Sequence, residues 1–432
     1  MFLSKKLKHW LKKEKNKMHN LHSFLETAKK SQQILQKTPH SLKVKILQDM
    51  AQAIKSSQSH ILQANALDLQ NAKDSLSHAM LERLELNPLK IASMAQSIEE
   101  IASLPNPLDR ILQGWRGDNG LNFQKISVPI GVIGIIYESR PNVTSDSAAL
   151  CFKSGNACIL KGGKEAHHSN WAILKILQEV LKAHQLPKEC ISMLENTSHE
   201  GVLEFIKQDK WVDLLIPRGG EGLIHFVSQN ATIPVLKHDK GVCHLYIHHD
   251  APIDQSIAIA INAKTQRPST CNSIETLLIH RDIAPIILPP LHQAFVQKDT
   301  TLKADQSTQE ILNLPLEPLY KEDFSKEYGD NTLNIAIVDS LEDAINHINT
   351  FGSGHSESII TQEISAAEQF LNEVDASCVY LNASTRFSDG GEFGFGAEIG
   401  ISTNKLHARG PVGLEGLTTY KYKILGNFQI RG

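Results

Sequence analysis

Ile130-Gly131-Val132-Ile133-Gly134-Ile135-Ile136-Tyr137, running straight into Glu138-Ser139-Arg140-Pro141-Asn142, is the stretch on which the fold turns. A short run that is apolar throughout reads as a strand covered on both faces, and such strands belong to parallel sheets. Runs of the same kind recur at 156–161, 190–194, 211–216 and 233–236, separated by helical stretches. That alternation predicts an α/β domain of the dinucleotide-binding kind. The Pro-Asn turn follows the first strand directly, where loops at strand carboxyl ends meet ligands. An amide at Asn142 could donate to an oxyanion there, and Arg140 could hold an acidic group. The structural alternative for Asn142 is a helix cap.

Two further strand ends suit an anionic ligand. Lys161-Gly162-Gly163-Lys164-Glu165 closes one strand and opens a helix, placing two ammonium groups and backbone amides together, with Lys164 suited to a 2′-phosphate. Lysines that merely solvate a turn are the competing reading. Pro217-Arg218-Gly219-Gly220-Glu221 repeats the strand-turn-helix pattern, and its glycines would let the backbone approach a pyrophosphate. The GxGxxG fingerprint is missing after the first strand, where Gly131 and Gly134 stand three apart. Gly352-Ser353-Gly354 and Gly394-Phe395-Gly396 read as turns.

A second strand-helix alternation, with strands at 243–247, 274–279, 333–338, 358–361 and 379–382, predicts a second α/β domain. It carries Thr265-Gln266-Arg267-Pro268-Ser269-Thr270-Cys271-Asn272, a polar turn before a strand. A thiol at the lip of a strand with a guanidinium four residues away is a candidate nucleophile, because thiolate is the reactive form and a cationic turn favours it. The alternative is a small buried hydrophobe. Cys151, Cys158, Cys190, Cys243 and Cys378 lie in or beside apolar runs and read as structural. The stretch 382–400 gathers five glycines and Arg386 into a loop able to wrap an anionic substrate, with a purely structural glycine loop as the competing view.

Around these domains, 21–104 follows a helical period, 121–128 alternates like an extended arm, and 418–424 alternates again, able to pair with the arm or with a neighbouring subunit. Residues 297–328, polar and broken by Pro315 and Pro318, read as a mobile insert. Residues 1–20, crowded with lysines, read as a solvated, frayed extension with Met18 as an alternative start; an interfacial helix is the other possibility.

Composition narrows the partners. Lys plus Arg number 44 against 47 Asp plus Glu, so there is no basic field for nucleic acid. Six cysteines without a CxxC pair point to a reducing, cytoplasmic compartment, and no apolar run approaches the roughly 20 residues of a membrane span. Among 20 histidines there is no HExxH, and His244 and His248 stand too far apart along a strand to chelate, so no metal is expected.

Together, Tyr137-Glu138-Ser139-Arg140-Pro141-Asn142, Ile216-Pro217-Arg218-Gly219-Gly220, Gln266-Arg267-Pro268-Ser269-Thr270-Cys271-Asn272 and Val379-Tyr380-Leu381-Asn382-Ala383-Ser384-Thr385-Arg386-Phe387 resemble the aldehyde dehydrogenase superfamily, most closely its γ-glutamyl phosphate reductase branch. The resemblance runs from about residue 21 to 429. It implies a Rossmann-type NADP-binding domain (21–120 and 130–242), an α/β catalytic domain (243–412) and a small β oligomerisation arm (121–129 and 413–432). It further implies NADPH-dependent reduction of L-glutamyl 5-phosphate, a homo-oligomer, and functional coupling to a separate glutamate 5-kinase.

By that resemblance Cys271 is the nucleophile and Asn142 the oxyanion donor. Lys161, Gly219, Gly220 and Glu327 match positions that contact the cofactor, joined by Lys164 from its own chemistry, and Arg140 and Arg386 are the candidates for the substrate's anionic groups. Where oxidising relatives carry a water-activating Glu, the matching stretch here is His238-Asp239-Lys240-Gly241, which suits a thioester that survives until it is reduced.

Overall fold

The computed structural model describes residues 5–237, 240–406 and 408–431, with side chains from Asn20 onward except at Ala79. The chain divides into two compact units, one made of residues 1–237, 395–400 and 412–432, the other of 238–394 and 401–411.

In the first unit, strands Ile191–Met193, Ala157–Lys161, Val132–Tyr137 and Leu214–Arg218 form, in that order, a parallel sheet. Every residue of Val132–Tyr137 is buried, as a central strand covered on both faces requires. The helix Lys5–Leu35 runs through most of the basic extension, whose lysine side chains lie outside the described residues. Its later part places Leu25 and Ala28 in one core with Val132, Ile159 and Leu215. The stretch 233–236 contributes only an isolated bridge, Val235 to Leu215.

The arm is a three-stranded antiparallel sheet in which Asn122–Pro129 is flanked by Ile111–Arg116 and Thr418–Leu425. The sequence-based pairing near Phe123 is present, with Ile424 opposite Phe123. The third strand, Ile111–Arg116, is exposed along its whole length, so no apolar face marks it, and Trp115 stacks on Phe123 at 5.2 Å.

The second unit is built on a parallel sheet of seven strands, ordered Glu317–Pro318, Thr301–Ala304, Thr332–Val338, Ile274–His280, Cys243–Ile247, Ser356–Ile360 and Cys378–Leu381. Helices Ile253–Thr265 and Ala284–Val296 supply Ala260, Ala263, Leu288 and Phe295 to its core. The mobile insert expected at 297–328 is corrected. Thr301–Ala304 pairs with Thr332–Val338, and buried Asp323 binds Lys303 and Lys326. Pro318 lies in the edge strand, where a residue lacking an N–H donor costs nothing, so this proline terminates the sheet instead of loosening the chain.

Candidate active site

Cys271 sits on the turn between helix Ile253–Thr265 and strand Ile274–His280. The turn is closed by the Thr270 hydroxyl donating to the Arg267 carbonyl at 2.8 Å and the Ser273 amide donating to the Thr270 carbonyl at 3.0 Å. Just past the thiol the chain is pinned. The buried Asn272 amide donates to the carbonyls of Ser388 (2.9 Å) and Arg386 (3.3 Å), and the Thr385 hydroxyl donates to the Asn272 carbonyl at 2.6 Å. Of the six cysteines, five are buried and Cys271 is half-buried.

Beneath it, the Cys243 thiol, kept protonated by burial and by the nearby Glu357 and Cys271, donates to the Cys271 carbonyl at 3.2 Å. Gly241 presses on the same backbone. A Cβ there would stand 2.1 Å from the Cys271 carbonyl oxygen and 2.5 Å from its Cα, so this position admits no side chain. His238 and Asp239, the rest of the stretch that departs from oxidising relatives, lie outside the described residues.

Arg386 is half-buried beside the turn, its Nε donating to Gln266 at 2.8 Å. Burial and the neighbouring Arg267 lower its pKa, while a charge on the nearby Cys271 would raise it. Glu327 is exposed, and its charge acts on the buried Glu275. Glu275 forms a buried pair with Lys264 at 2.7 Å, and burial, opposed by Lys264, lifts its carboxyl to about 7.

The first unit gathers its own predicted residues at the carboxyl ends of three adjacent strands, Ala157–Lys161, Val132–Tyr137 and Leu214–Arg218. Asn142 opens the helix Asn142–Lys153 but does not cap it; its amide donates to Asp146 at 3.1 Å. Arg140 is exposed two residues earlier. Lys161 is half-buried, which lowers its pKa against the pull of Glu165 and Glu138, and Lys164 is exposed.

The glycines of these turns split in purpose. Space over Gly163 and Gly219 is filled by Glu165 and Glu138, whose carboxylates also accept from the Ser139 hydroxyl (2.6 Å) and the Gly220 amide (3.0 Å). A Cβ on Gly220 would meet nothing nearer than 3.9 Å, and one on Gly222 nothing within 4 Å, so the first turn of helix Glu221–Asn230 is open.

Sequence reasoning passed over Asp146, Glu138 and the position of Arg218. Burial lifts the Asp146 carboxyl to about 6, opposed first by the Asn142 amide and also by Arg218. Arg218 is accommodated by Gly400, where a Cβ would stand 2.9 Å from the guanidinium. The four-residue spacing from Asn142 to Asp146 on one helix was the available signal for that pair.

The sequence matches the aldehyde dehydrogenase family over residues 7–313 and 332–420. It is 57% identical over 412 residues to the gamma-glutamyl phosphate reductase of Sulfurovum sp. (strain NBC37-1), covering 95% of this chain and 100% of that one. To the gamma-glutamyl phosphate reductase of Salmonella arizonae it is 45% identical over 392 residues, covering 90% and 94%. The crystal structure of gamma-glutamyl phosphate reductase from Thermotoga maritima is similar at a TM-score of 0.93 and 41% identity, over 95% of this chain and 100% of that one.

Proposed function

The chain belongs to the aldehyde dehydrogenase family, and on that premise we propose that it converts L-glutamyl 5-phosphate to L-glutamate 5-semialdehyde and inorganic phosphate, through an acyl group held on Cys271 and with NADPH as reductant. The observation that carries the reading is the half-buried thiol on a pinned turn beside Arg267 and Arg386.

The Cys271 thiolate attacks the acyl carbon, its backbone N–H and the Asn142 amide serve as oxyanion donors, and the carbon–oxygen bond to phosphate breaks to leave a thioester. One such donor contributes about 3–4 kcal/mol to the transition state. Arg140 and Arg386 take the substrate's phosphate and α-carboxylate, for which a guanidinium offers paired donors. The covalent route divides one difficult displacement into two easier ones.

The first unit suits a dinucleotide: half-buried Lys161, exposed Lys164 and the open turn at Gly220 offer cations and backbone amides to anionic oxygens. Lys161, Lys164, Gly219, Gly220 and Glu327 would hold the cofactor, which when bound supplies the hydride. An ammonium such as that of exposed Lys164 suits a 2′-phosphate, which supports reading the reductant as NADPH.

The arm, with Ile111, Leu112, Tyr420, Tyr422 and Leu425 exposed, is the surface for a homo-oligomer. Among the described residues no helix is long and apolar enough to cross a membrane, and a cytoplasmic enzyme supplied by a separate glutamate 5-kinase completes the reading.

The test runs the reaction backwards, following NADP⁺ reduction by glutamate semialdehyde with and without inorganic phosphate. Strict phosphate dependence is the expected result. Phosphate-independent oxidation would instead identify a hydrolytic aldehyde dehydrogenase.

A further inference from the structure

Strands Cys243–Ile247 and Ser356–Ile360 are paired neighbours in the second unit, with Ile247 opposite Ile360, and the loops leaving their carboxyl ends carry His248, His249 and Asp250 from one and Thr361, Gln362 and Glu363 from the other. Cys271 precedes the adjacent strand Ile274–His280. At about 3.3 Å per residue, these loops lie some 20 Å along the sheet from the nucleophile.

One nitrogen from each of His248 and His249 and one oxygen from Asp250 lie within 4.8 Å of one another. The His248 ring is only 6% exposed, and each of its nitrogens has a definite neighbour: Nδ1 shares a hydrogen bond with the buried Tyr246 hydroxyl at 2.9 Å, and Nε2 points at Glu363 Oε2, 3.6 Å away. The Asp250 carboxylate is oriented by the Thr361 hydroxyl at 2.7 Å and the Gln362 amide at 2.9 Å. The His248 and His249 rings meet edge to face at 4.2 Å.

Metal-binding imidazoles are characteristically fixed by a hydrogen bond on the ring nitrogen that does not bind, and ligating carboxylates are fixed in the same way. The first arrangement is in place at His248 and the second at Asp250. We propose that His248, His249 and Asp250 form a binding site for a borderline divalent cation of the zinc class. Two imidazole nitrogens and one carboxylate oxygen, with the fourth position left to water, form a donor set suited to tetrahedral Zn²⁺, which Co²⁺ can report spectroscopically. Such an ion would clip together the ends of two adjacent strands of the catalytic unit.

The test uses the full-length, untagged protein, stripped by chelator and titrated with Zn²⁺ by calorimetry and with Co²⁺ by absorption. The expected result is one ion per chain, visible cobalt bands without thiolate charge-transfer absorption, and a higher Tm with Zn²⁺. Exposed His249→Ala and the near-isosteric Asp250→Asn should each weaken binding at least roughly tenfold. Their metal-free circular dichroism and Tm, matched to the parent, establish that they fold. Cys271→Ala should bind as the parent does. Undiminished affinity in both ligand variants would overturn the proposal, as would loss of binding in Cys271→Ala or cobalt absorption characteristic of thiolate.

Discussion

The turn that carries Cys271 precedes its strand, the turns that carry Lys161, Lys164 and Gly220 follow theirs, and the two kinds are held in opposite ways. The thiol turn is locked from behind: Asn272 makes three side-chain and backbone bonds to the 385–388 segment, Cys243 binds the Cys271 carbonyl, and Gly241 leaves no gap. The cationic turns are braced by Glu138 and Glu165, and the one at Gly220 is open above that glycine. A nucleophile must be placed to a fraction of an ångström, because misplacement by about 1 Å can cost roughly a hundredfold in rate. A diffuse anion tolerates a looser cradle, so the first region should respond to substitution by failing and the second by changing preference.

The largest expected effect is that of Cys271→Ala, which should lower turnover by roughly 10⁴-fold or more while leaving NADPH affinity, measured by fluorescence titration, within about threefold of the parent. Appreciable remaining turnover would break the comparison at its root. Next, Asn272→Ala keeps the thiol but releases its anchor. A fall in kcat of about a hundredfold with slower alkylation of Cys271 by iodoacetamide is expected, together with a loss of about 1–3 kcal/mol in denaturant unfolding for the carbonyls left buried.

Lys164→Glu probes the other region: kcat/KM for NADPH relative to NADH should fall by roughly ten- to a hundredfold, with kcat largely kept. A uniform loss with both cofactors would mean that Lys164 makes no distinction between them.

The smallest effect concerns the floor behind Cys243. There the buried His244 shares Glu357 through both its amide (2.6 Å) and its ring (2.9 Å), and His347 packs on His244 and Phe324. Burial, reinforced by His244, holds His347 down at about 3. Below pH 6.5 the unfolded chain therefore binds a proton at this residue that the folded chain refuses, and stability drains away as pH falls from about 6.5 towards 3. His347→Phe removes that one proton. Relative to the parent, the variant should gain up to about 1.4 kcal/mol per pH unit between pH 6 and 4, read from parallel unfolding curves. A difference independent of pH would show that His347 titrates normally.

Much of this was legible beforehand, for identifiable reasons. Strands covered on both faces announce themselves as apolar runs, so Val132–Tyr137, Ala157–Lys161, Cys243–Ile247 and Ile274–His280 fall where the pattern puts them, and a cysteine in a polar turn stands apart from five in apolar runs. Ile111–Arg116 carries no such pattern because neither face is buried, and Thr301–Ala304 was masked by Pro315 and Pro318, of which only Pro318 belongs to the sheet edge. The carboxylates filling the glycine turns could not be read, since Glu138 meets Gly220 across 82 positions of sequence. The grouping of His248 with Asp250 was missed because distance along the strand was weighed only against His244, while the loop beyond the strand folds back on itself.

The bare contact between Gly241 and the main chain of Cys271 also bears on how such an enzyme can diverge. On the proposed reading, exchanging lysines at the turns of the first unit would shift the choice of reductant, but even a single methyl at Gly241 would press on the Cys271 main chain and move its thiol. Wherever this chemistry has been inherited, that hydrogen atom should prove as hard to replace as the cysteine it touches.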